Sequence, residues 1–223
     1  MSKKHKSVNG RTEADIAKDL AGIDPLSDEF LAAMHEELKG RVSKKRLRHI
    51  EGVADTAEEI AQAYGKDRRK ARLAGLLHDW DKGMDNDEIA ERVYELGIED
   101  EIGQWTIDNM PEVIHGISAS HALGVSFPEI PDDVINAIRV HTTASVDMSD
   151  LDKILYIADA IEPGRSFDSL PDLRAMIGTS SLDDLYFEVY QFWTKALISK
   201  GRALYPDTIR IWNDMCAKRR KHE

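Results

Sequence analysis

Apolar residues recur at helical spacing along most of this chain, whereas strand-like alternation is nowhere sustained. In one stretch Phe30, Met34, Leu38 and Val42 follow one another at intervals of four, which places them on one face of a helix. The best strand candidate, residues 124–127, is short. The pattern therefore predicts an all-α fold that is organised as a single helical bundle.

Start and stop signals predict where the helices lie. Ser27 with the two acidic residues after it is typical of a helix start, and Gly65 and Gly97 are placed to end helices in the left-handed conformation. A later helical stretch is expected to be broken at Pro111 and Gly116. The predicted helices cover residues 13–21, 27–42, 43–64, 66–78, 85–96, 132–141, 150–161, 182–200 and 207–219.

The length of 223 residues suits one domain, and the sequence predicts where that domain begins. Residues 1–24 are polar and charged and are predicted to form a flexible N-terminal extension that includes a short helix, while residues 25–223 form the domain. The single cysteine, Cys216, excludes a zinc site of the multi-cysteine kind and suits a reducing compartment. No apolar run reaches the roughly 18 residues of a membrane span, and no signal peptide is evident. We expect a cytoplasmic protein without a membrane partner.

The net charge of −11 disfavours a nucleic-acid partner, because such proteins usually carry a basic excess or a basic face. Small-molecule substrates fit better. Basic residues cluster locally before one histidine, at Lys44, Lys45, Arg46 and Arg48. This cluster is compatible with a solvated helix end and with a phosphate contact, and the sequence leaves both readings open.

Histidines and aspartates at the ends of apolar helices are the chemically informative residues. His78 and Asp79 are adjacent and follow an apolar helix, where polar side chains are costly unless they are partnered. One such histidine alone is more often a hydrogen-bonded core residue than a ligand. Similar surroundings recur at His49, His115, His141 and Asp159. Six such residues together match the nitrogen and oxygen ligands of a two-metal site.

The order of these residues, H…HD…H…H…D, resembles the HD-domain superfamily of metal-dependent phosphohydrolases. The flanking strings resemble the YqeK-type HD proteins, a family that contains symmetrical diadenosine tetraphosphate hydrolases. The resemblance runs from about Asp28 to Asp214. It is carried by RLRHIEGVADTA (46–57), LAGLLHDWDK (73–82), VIHG (113–116), AIRVHTT (137–143), DKILYIADAIEPGR (152–165) and LYPDTI (204–209).

The resemblance implies an activity and a ligand set. The activity is metal-dependent hydrolysis of diadenosine tetraphosphate, a dinucleoside polyphosphate, into two molecules of ADP. Asp79 would bridge two metal ions, for which iron is the first expectation and manganese, nickel or zinc are alternatives. A surplus of apolar helix surface is compatible with a homodimer. The implied metal ligands are His49, His78, Asp79, His115, His141 and Asp159.

Four further residues are candidates for catalysis or substrate binding. Lys82 and Arg165 are expected, with Asp79, to be catalytic and to hold phosphate oxygens, since guanidinium groups bind phosphate bidentately. Thr142 and Thr143 are expected to bind substrate. The alternatives are that Lys82 is a surface residue, that Arg165 forms a structural salt bridge, and that the two threonines cap a helix.

Three other polar or aromatic residues near the motifs are given non-catalytic interpretations. Trp80 is expected to pack in the core rather than to stack on a base, and Asp81 to face solvent. His121 is left out of the metal set because it does not share a helical face with His115. Two other functions stay open: hydrolysis of another nucleotide, such as a nucleoside monophosphate or guanosine tetraphosphate, and non-catalytic nucleotide binding.

Overall fold

The structure, a computed structural model, describes residues 11–167 and 170–220. Within these ranges the chain forms helices and no strand, so the predicted all-α fold is confirmed. The α-helices are α1 (Glu13–Asp19), α2 (Asp28–Arg41), α3 (Lys44–Ala63), α4 (Arg68–Leu77), α5 (Asn86–Leu96), α6 (Glu99–Ile102), α7 (Gln104–Asn109), α8 (His115–Ser126), α9 (Asp132–Val140), α10 (Asp150–Ile161), α11 (Leu170–Ala175), α12 (Leu182–Ser199) and α13 (Thr208–Arg219), with one 3-10 turn at Pro111–Val113.

Helix α10 lies at the centre of the bundle and packs against α3, α4, α9 and α12. Its inward face carries Ile154, Leu155 and Ile157, all fully buried in the main core. A second, smaller apolar cluster lies where α5 meets α8, around Ile89 and Ile117. Among the described residues we find no helix long and apolar enough to cross a membrane.

The predicted start and stop signals act as expected at several helix ends. The Ser27 hydroxyl accepts a hydrogen bond from the backbone N–H of Phe30 at 3.1 Å and so caps α2. Gly65 and Gly97 have φ angles of 65° and 67°, the left-handed region that favours glycine. Helices α3 and α5 therefore end within a residue or two of the predicted positions.

Two local predictions around α8 are wrong. The strand candidate at residues 124–127 is instead the last turn of α8 and the residue after it. Gly116 does not break a helix but lies in the first turn of α8. Packing overrides the local signal here, because a Cβ on Gly116 would lie 2.9 Å from His141 Cε1 and from the Ile138 carbonyl oxygen. Glycine at this position allows α8 and α9 to approach closely.

The N-terminal segment also differs from its prediction. The short helix that we expected there is present as α1, but residues 11–24 do not behave as a flexible extension. Ile16 is 2% exposed and belongs to the main core, so α1 packs against the bundle because its apolar face is buried there. The rest of the predicted extension, residues 1–10, lies outside the described residues.

Glu13 of α1 joins the bundle through three hydrogen bonds to one carboxylate oxygen. Its Oε1 accepts from Arg41 Nη2 at 2.6 Å, Arg92 Nη2 at 2.7 Å and Trp80 Nε1 at 2.8 Å. Burial opposes ionisation of Glu13, but the two arginines outweigh it and lower its pKa below the ordinary 4.5. Glu13 therefore connects α1 to Arg41 in α2, to Arg92 in α5 and to Trp80, which follows Asp79.

We expect Glu13→Gln to lower the free energy of unfolding by about 2 kcal/mol, because the buried guanidinium of Arg41 loses its paired carboxylate and that of Arg92 keeps only Asp81. Chemical denaturation of the two proteins measures this difference. The difference is expected to be fully present above pH 4.5 and to vanish as the pH falls through the lower folded-state pKa of Glu13. Asp28→Asn, which removes an exposed pair with Arg69, is the control and should change nothing measurable. Equal stability of wild type and Glu13→Gln at neutral pH would contradict the prediction.

Candidate metal centre

Five helices or helix ends bring the six predicted ligands to one place. His78 and His141 are the first residues after α4 and α9, and Asp79 follows His78. His115 begins α8. His49 and Asp159 project from the interior of α3 and α10, which pack against each other. Their assignment as metal ligands stays a prediction, but the structure places all six within one cluster.

Asp79 lies at the centre of this cluster. Its Oδ1 is 3.2 Å from His115 Nε2, and its Oδ2 is 3.3 Å from His78 Nε2 and 3.8 Å from His49 Nε2. The side chain is only 2% exposed. Its two oxygens thus face different histidines.

Three of the four histidines are oriented by the backbone. In each case Nδ1–H donates to the carbonyl oxygen three residues earlier, which leaves Nε2 directed into the cluster. The three pairs are His78 with Gly75 at 2.6 Å, His115 with Glu112 at 3.0 Å and His141 with Ile138 at 2.7 Å. The fourth histidine, His49, instead directs Nδ1 to the Glu162 carboxylate at 3.0 Å.

This orientation creates contacts that need a cation. With their protons on Nδ1, His115 and His141 direct the lone pairs of Nε2 at each other across 3.2 Å. His49 Nε2 likewise lies 3.0 Å from Asp159 Oδ1. Among the described residues, the buried Nε2 atoms of His49 and His78 have no hydrogen-bond partner. Opposed acceptors and unpaired buried nitrogens are unfavourable alone and fit a bound metal ion.

Two groups of three side chains have ligand atoms close enough to hold a metal ion. One consists of His49, His78 and Asp79, and the other of Asp79, His115 and His141. We call them the first and the second ligand group. Asp79 belongs to both, and the cluster is therefore able to hold a divalent metal.

The protonation states of His141 and of both aspartates also suit metal ligation. Burial, with the nearby charge of His78, lowers the pKa of His141 to about 3, so this imidazole is neutral at physiological pH. Burial raises the pKa of Asp79, but His78 and His115 together outweigh it and hold the pKa well below its ordinary value. Burial acts likewise on Asp159, but Arg165 and the neighbouring histidines together outweigh it and hold its pKa well below normal. Neutral imidazoles and ionised carboxylates are the forms that bind metals.

A cleft of about 880 Å³ opens onto this cluster, and three of the four predicted substrate-binding residues line it. Lys82 Nζ donates to the Glu112 carbonyl at 3.0 Å. Arg165 Nη2 pairs with Asp159 Oδ1 at 2.6 Å, and Thr142 Oγ1 lies 2.9 Å from His141 Nε2. Thr143 differs, because its hydroxyl donates to the Ala144 carbonyl at 3.3 Å and it does not line the cleft.

The cleft also contains residues that the sequence reasoning missed or left open. Arg46, from the basic cluster before His49, donates through Nη1 to Asp79 Oδ2 at 2.9 Å. Phe167 exposes 39% of its surface beside the cleft. Glu162 lies in a quoted motif, but nothing in the sequence pairs it with His49, which is 113 residues away.

The structure also places the three residues that were given non-catalytic interpretations. Trp80 is 1% exposed, so it packs in the core as expected. Asp81 was expected to face solvent, and this is wrong: it is 1% exposed, because Arg92 and Ser118 hydrogen-bond its carboxylate. His121 pairs with Glu101 at 2.8 Å, away from the centre.

Comparisons with known proteins agree with this geometry. A family model described as HD domain matches residues 46–164. The symmetrical bis(5'-nucleosyl)-tetraphosphatase of Staphylococcus aureus is 32% identical over 176 residues, which cover 78% of this chain and 89% of that protein. The enzyme of the same name from Halalkalibacterium halodurans is 30% identical over 178 residues, covering 80% and 92% respectively. A crystal structure from Clostridium acetobutylicum, described as an HD superfamily hydrolase involved in NAD metabolism, aligns with a TM-score of 0.76. It is 35% identical, and the alignment covers 84% of this chain and 97% of that one.

Proposed function

This chain belongs to the HD domain family, and from that premise we propose that it cuts diadenosine tetraphosphate symmetrically into two molecules of ADP. The observation that carries the proposal is the cluster of four histidines and two aspartates, in which Asp79 is buried and shared by both ligand groups. The two relatives named symmetrical bis(5'-nucleosyl)-tetraphosphatase support the substrate, since this chain covers about nine tenths of each.

The proposed cofactors are two metal ions, one in each ligand group. Iron is the first candidate, and manganese, nickel and zinc also suit nitrogen and oxygen ligands. Such ions supply Lewis acidity toward phosphoryl oxygens and lower the pKa of water. His49, His78 and Asp79 would hold one ion, with Asp159 adjacent, and His115 and His141 would complete the other site.

The polyphosphate chain is proposed to bind along the cationic side of the cleft. Arg46, Lys82 and Arg165 line it beside the ligand groups. Lys45 and Arg48 also line the cleft. Guanidinium groups hold phosphate oxygens through paired hydrogen bonds and lose little entropy in doing so. The burial of Lys82 lowers the pKa of its ammonium group, and its Nζ lies beside His115. We propose that Lys82 and Arg165 stabilise the negative charge of the departing ADP.

Phe167 is the proposed contact for an adenine ring. Its ring packs edge-on against Trp193 at 5.0 Å between centroids and against Phe192 at 6.4 Å, so it is held in place while part of it stays exposed at the cleft. Stacking of a base on an aromatic side chain contributes about 1–3 kcal/mol. Trp80 cannot serve this purpose, because it is enclosed by Phe127 and Arg41.

Product chromatography tests the proposal directly. The purified protein is incubated with diadenosine tetraphosphate and iron(II) or manganese(II), and we expect ADP as the sole product. A mixture of AMP and ATP would support metal-dependent hydrolysis but contradict cleavage at the symmetrical position. No product with any of the four metals would refute the proposed substrate, and nucleoside monophosphates and guanosine tetraphosphate would then be tried.

Arg165→Ala is expected to lower kcat/KM for diadenosine tetraphosphate about 10- to 100-fold, which corresponds to the loss of one or two charge-assisted hydrogen bonds. Both KM and kcat should change, because Arg165 is proposed to bind the substrate and to stabilise the departing ADP. Steady-state kinetics measure it, with Arg210→Ala, which removes an exposed arginine outside the cleft, as the comparison expected to change far less. An unchanged kcat/KM would mean that Arg165 has only a structural role, through its salt bridge with Asp159.

The remaining predictions on cellular context are proposals with simple tests. We propose a cytoplasmic protein that binds no nucleic acid, in keeping with a net charge of −11. A homodimer is also proposed, and sedimentation equilibrium of the purified chain will measure its mass. A single species at the monomer mass would refute the dimer.

A further inference from the structure

The four histidines of the cluster differ in what orients them. A backbone carbonyl three residues earlier accepts from Nδ1 of each of His78, His115 and His141, so local backbone geometry holds the Nδ1 proton of these rings. His49 depends on a side chain from another helix end, the carboxylate of Glu162 at 3.0 Å. Its orientation is therefore the one that a single side-chain substitution can remove.

Glu162 is buried and fixed at both carboxylate oxygens. It is 4% exposed and follows the last residue of α10. Oε1 accepts from His49 Nδ1, and Oε2 accepts from the backbone N–H of Gly164 at 2.5 Å. A Cβ on Gly52 or on Gly164 would lie 2.9 or 2.8 Å from Oε2, so both glycines leave the space that this carboxylate occupies.

His49 lies between two carboxylates that compete for its ring proton. Glu162 is 3.0 Å from Nδ1, and Asp159 is 3.0 Å from Nε2. A neutral imidazole carries one N–H, and its other nitrogen is the only one with a lone pair for a metal. If the proton sat on Nε2 it would bind Asp159, and His49 would be lost to the first ligand group.

We propose that Glu162 is a positioning residue that holds the proton of His49 on Nδ1 and so directs Nε2 to the metal ion of the first ligand group. This inference rests on the proposed metal-dependent function. The same carboxylate holds the Gly164 N–H, one residue before Arg165. Glu162 thereby also links the metal site to the segment that carries the proposed phosphate-binding arginine.

Metal binding to the metal-free protein tests this inference without measuring hydrolysis. Calorimetric titration with manganese(II) is expected to show two ions per wild-type chain. Glu162→Ala should weaken one of them about 10- to 100-fold, the usual effect of removing a partner of a ligating histidine, and leave the other within about threefold. Glu162→Gln keeps one carbonyl acceptor for Nδ1–H and should fall between the two proteins.

A matched control separates positioning from general support of the fold. Asp152, on the same helix and 2% exposed, caps α10 and accepts from Asn136 without touching the cluster. Asp152→Asn should lower the melting temperature yet keep wild-type affinity for manganese. Electron paramagnetic resonance adds a readout that a structural role would not move: the spin-coupled signal of a manganese pair should give way to that of single ions in Glu162→Ala.

The outcomes distinguish this inference from the proposed function. Wild-type manganese affinities in both Glu162 variants would overturn the positioning role, whatever the protein hydrolyses. Equal weakening of both ions, together with a melting temperature as low as that of Asp152→Asn, would also overturn it in favour of a structural role. If the Glu162 variants selectively lose one ion but the wild type does not hydrolyse diadenosine tetraphosphate, the positioning role of Glu162 is supported and only the proposed substrate is refuted.

Discussion

Asp79→Ala is expected to remove both metal ions and to lower the hydrolysis rate by about three orders of magnitude or more. Asp79 is the one residue shared by the two ligand groups, and its oxygens lie 3.2 and 3.3 Å from His115 and His78. Metal ions contribute several kcal/mol of transition-state stabilisation, and each 1.4 kcal/mol corresponds to about tenfold in rate. Elemental analysis of the purified variant and product chromatography measure the two effects.

The helical fold should survive this substitution, because the side chain of Asp79 belongs to neither apolar cluster. Circular dichroism of Asp79→Ala should therefore match that of the wild type. Asp152→Asn is again a suitable control, being an equally buried carboxylate outside the cluster, and should keep metal and activity. A variant of Asp79 that retained two ions and full turnover would refute the bridging role.

Gly75→Ala is expected to lower the free energy of unfolding by about 3 kcal/mol. A Cβ at Gly75 would lie 2.6 Å from Ala54 Cα and 3.0 Å from its backbone nitrogen. Backbone atoms of α3 cannot rotate away, so α3 and α4 must separate. This would also move His78 away from His49, and metal affinity should fall along with stability.

Gly124→Ala is the matched comparison for Gly75→Ala. Both glycines lie inside helices, but a Cβ at Gly124 would meet only Ile135 Cγ2 at an ordinary 3.8 Å. Here the better helix propensity of alanine should dominate and raise stability by up to about 1 kcal/mol. Thermal and denaturant unfolding of the two variants should thus shift in opposite directions; a shift of the same sign would contradict the packing argument.

The sequence predicted those features of the fold and the site that depend on residues close together in the chain. Helical spacing predicted the all-α fold, and capping residues and glycines located most helix ends, because these signals act over one or two turns. The six candidate ligands stood out as polar residues at the ends of apolar stretches, and the structure places all six together. Their order along the chain also indicated the family, which the family model then matched.

The predictions that were wrong concern residues whose partners lie far away in the chain. The sequence predicts Asp81 to face solvent, but in the structure Arg92 neutralises its carboxylate inside the bundle and Ser118 hydrogen-bonds it. Gly116 is predicted to break a helix, but in the structure it lies inside α8 with His141 packed against it. Residues 11–24 read as an extension until Ile16 is found in the core.

The sequence by itself therefore determined the helical architecture and the residue types that can bind a metal, since periodicity and local polarity are properties of neighbouring residues. Only the tertiary structure decided which atoms face the centre. His49 and Glu162 meet across 113 residues, and Glu13 and Arg92 across 79. A contact over such a separation depends on how whole helices pack, and no local pattern records it.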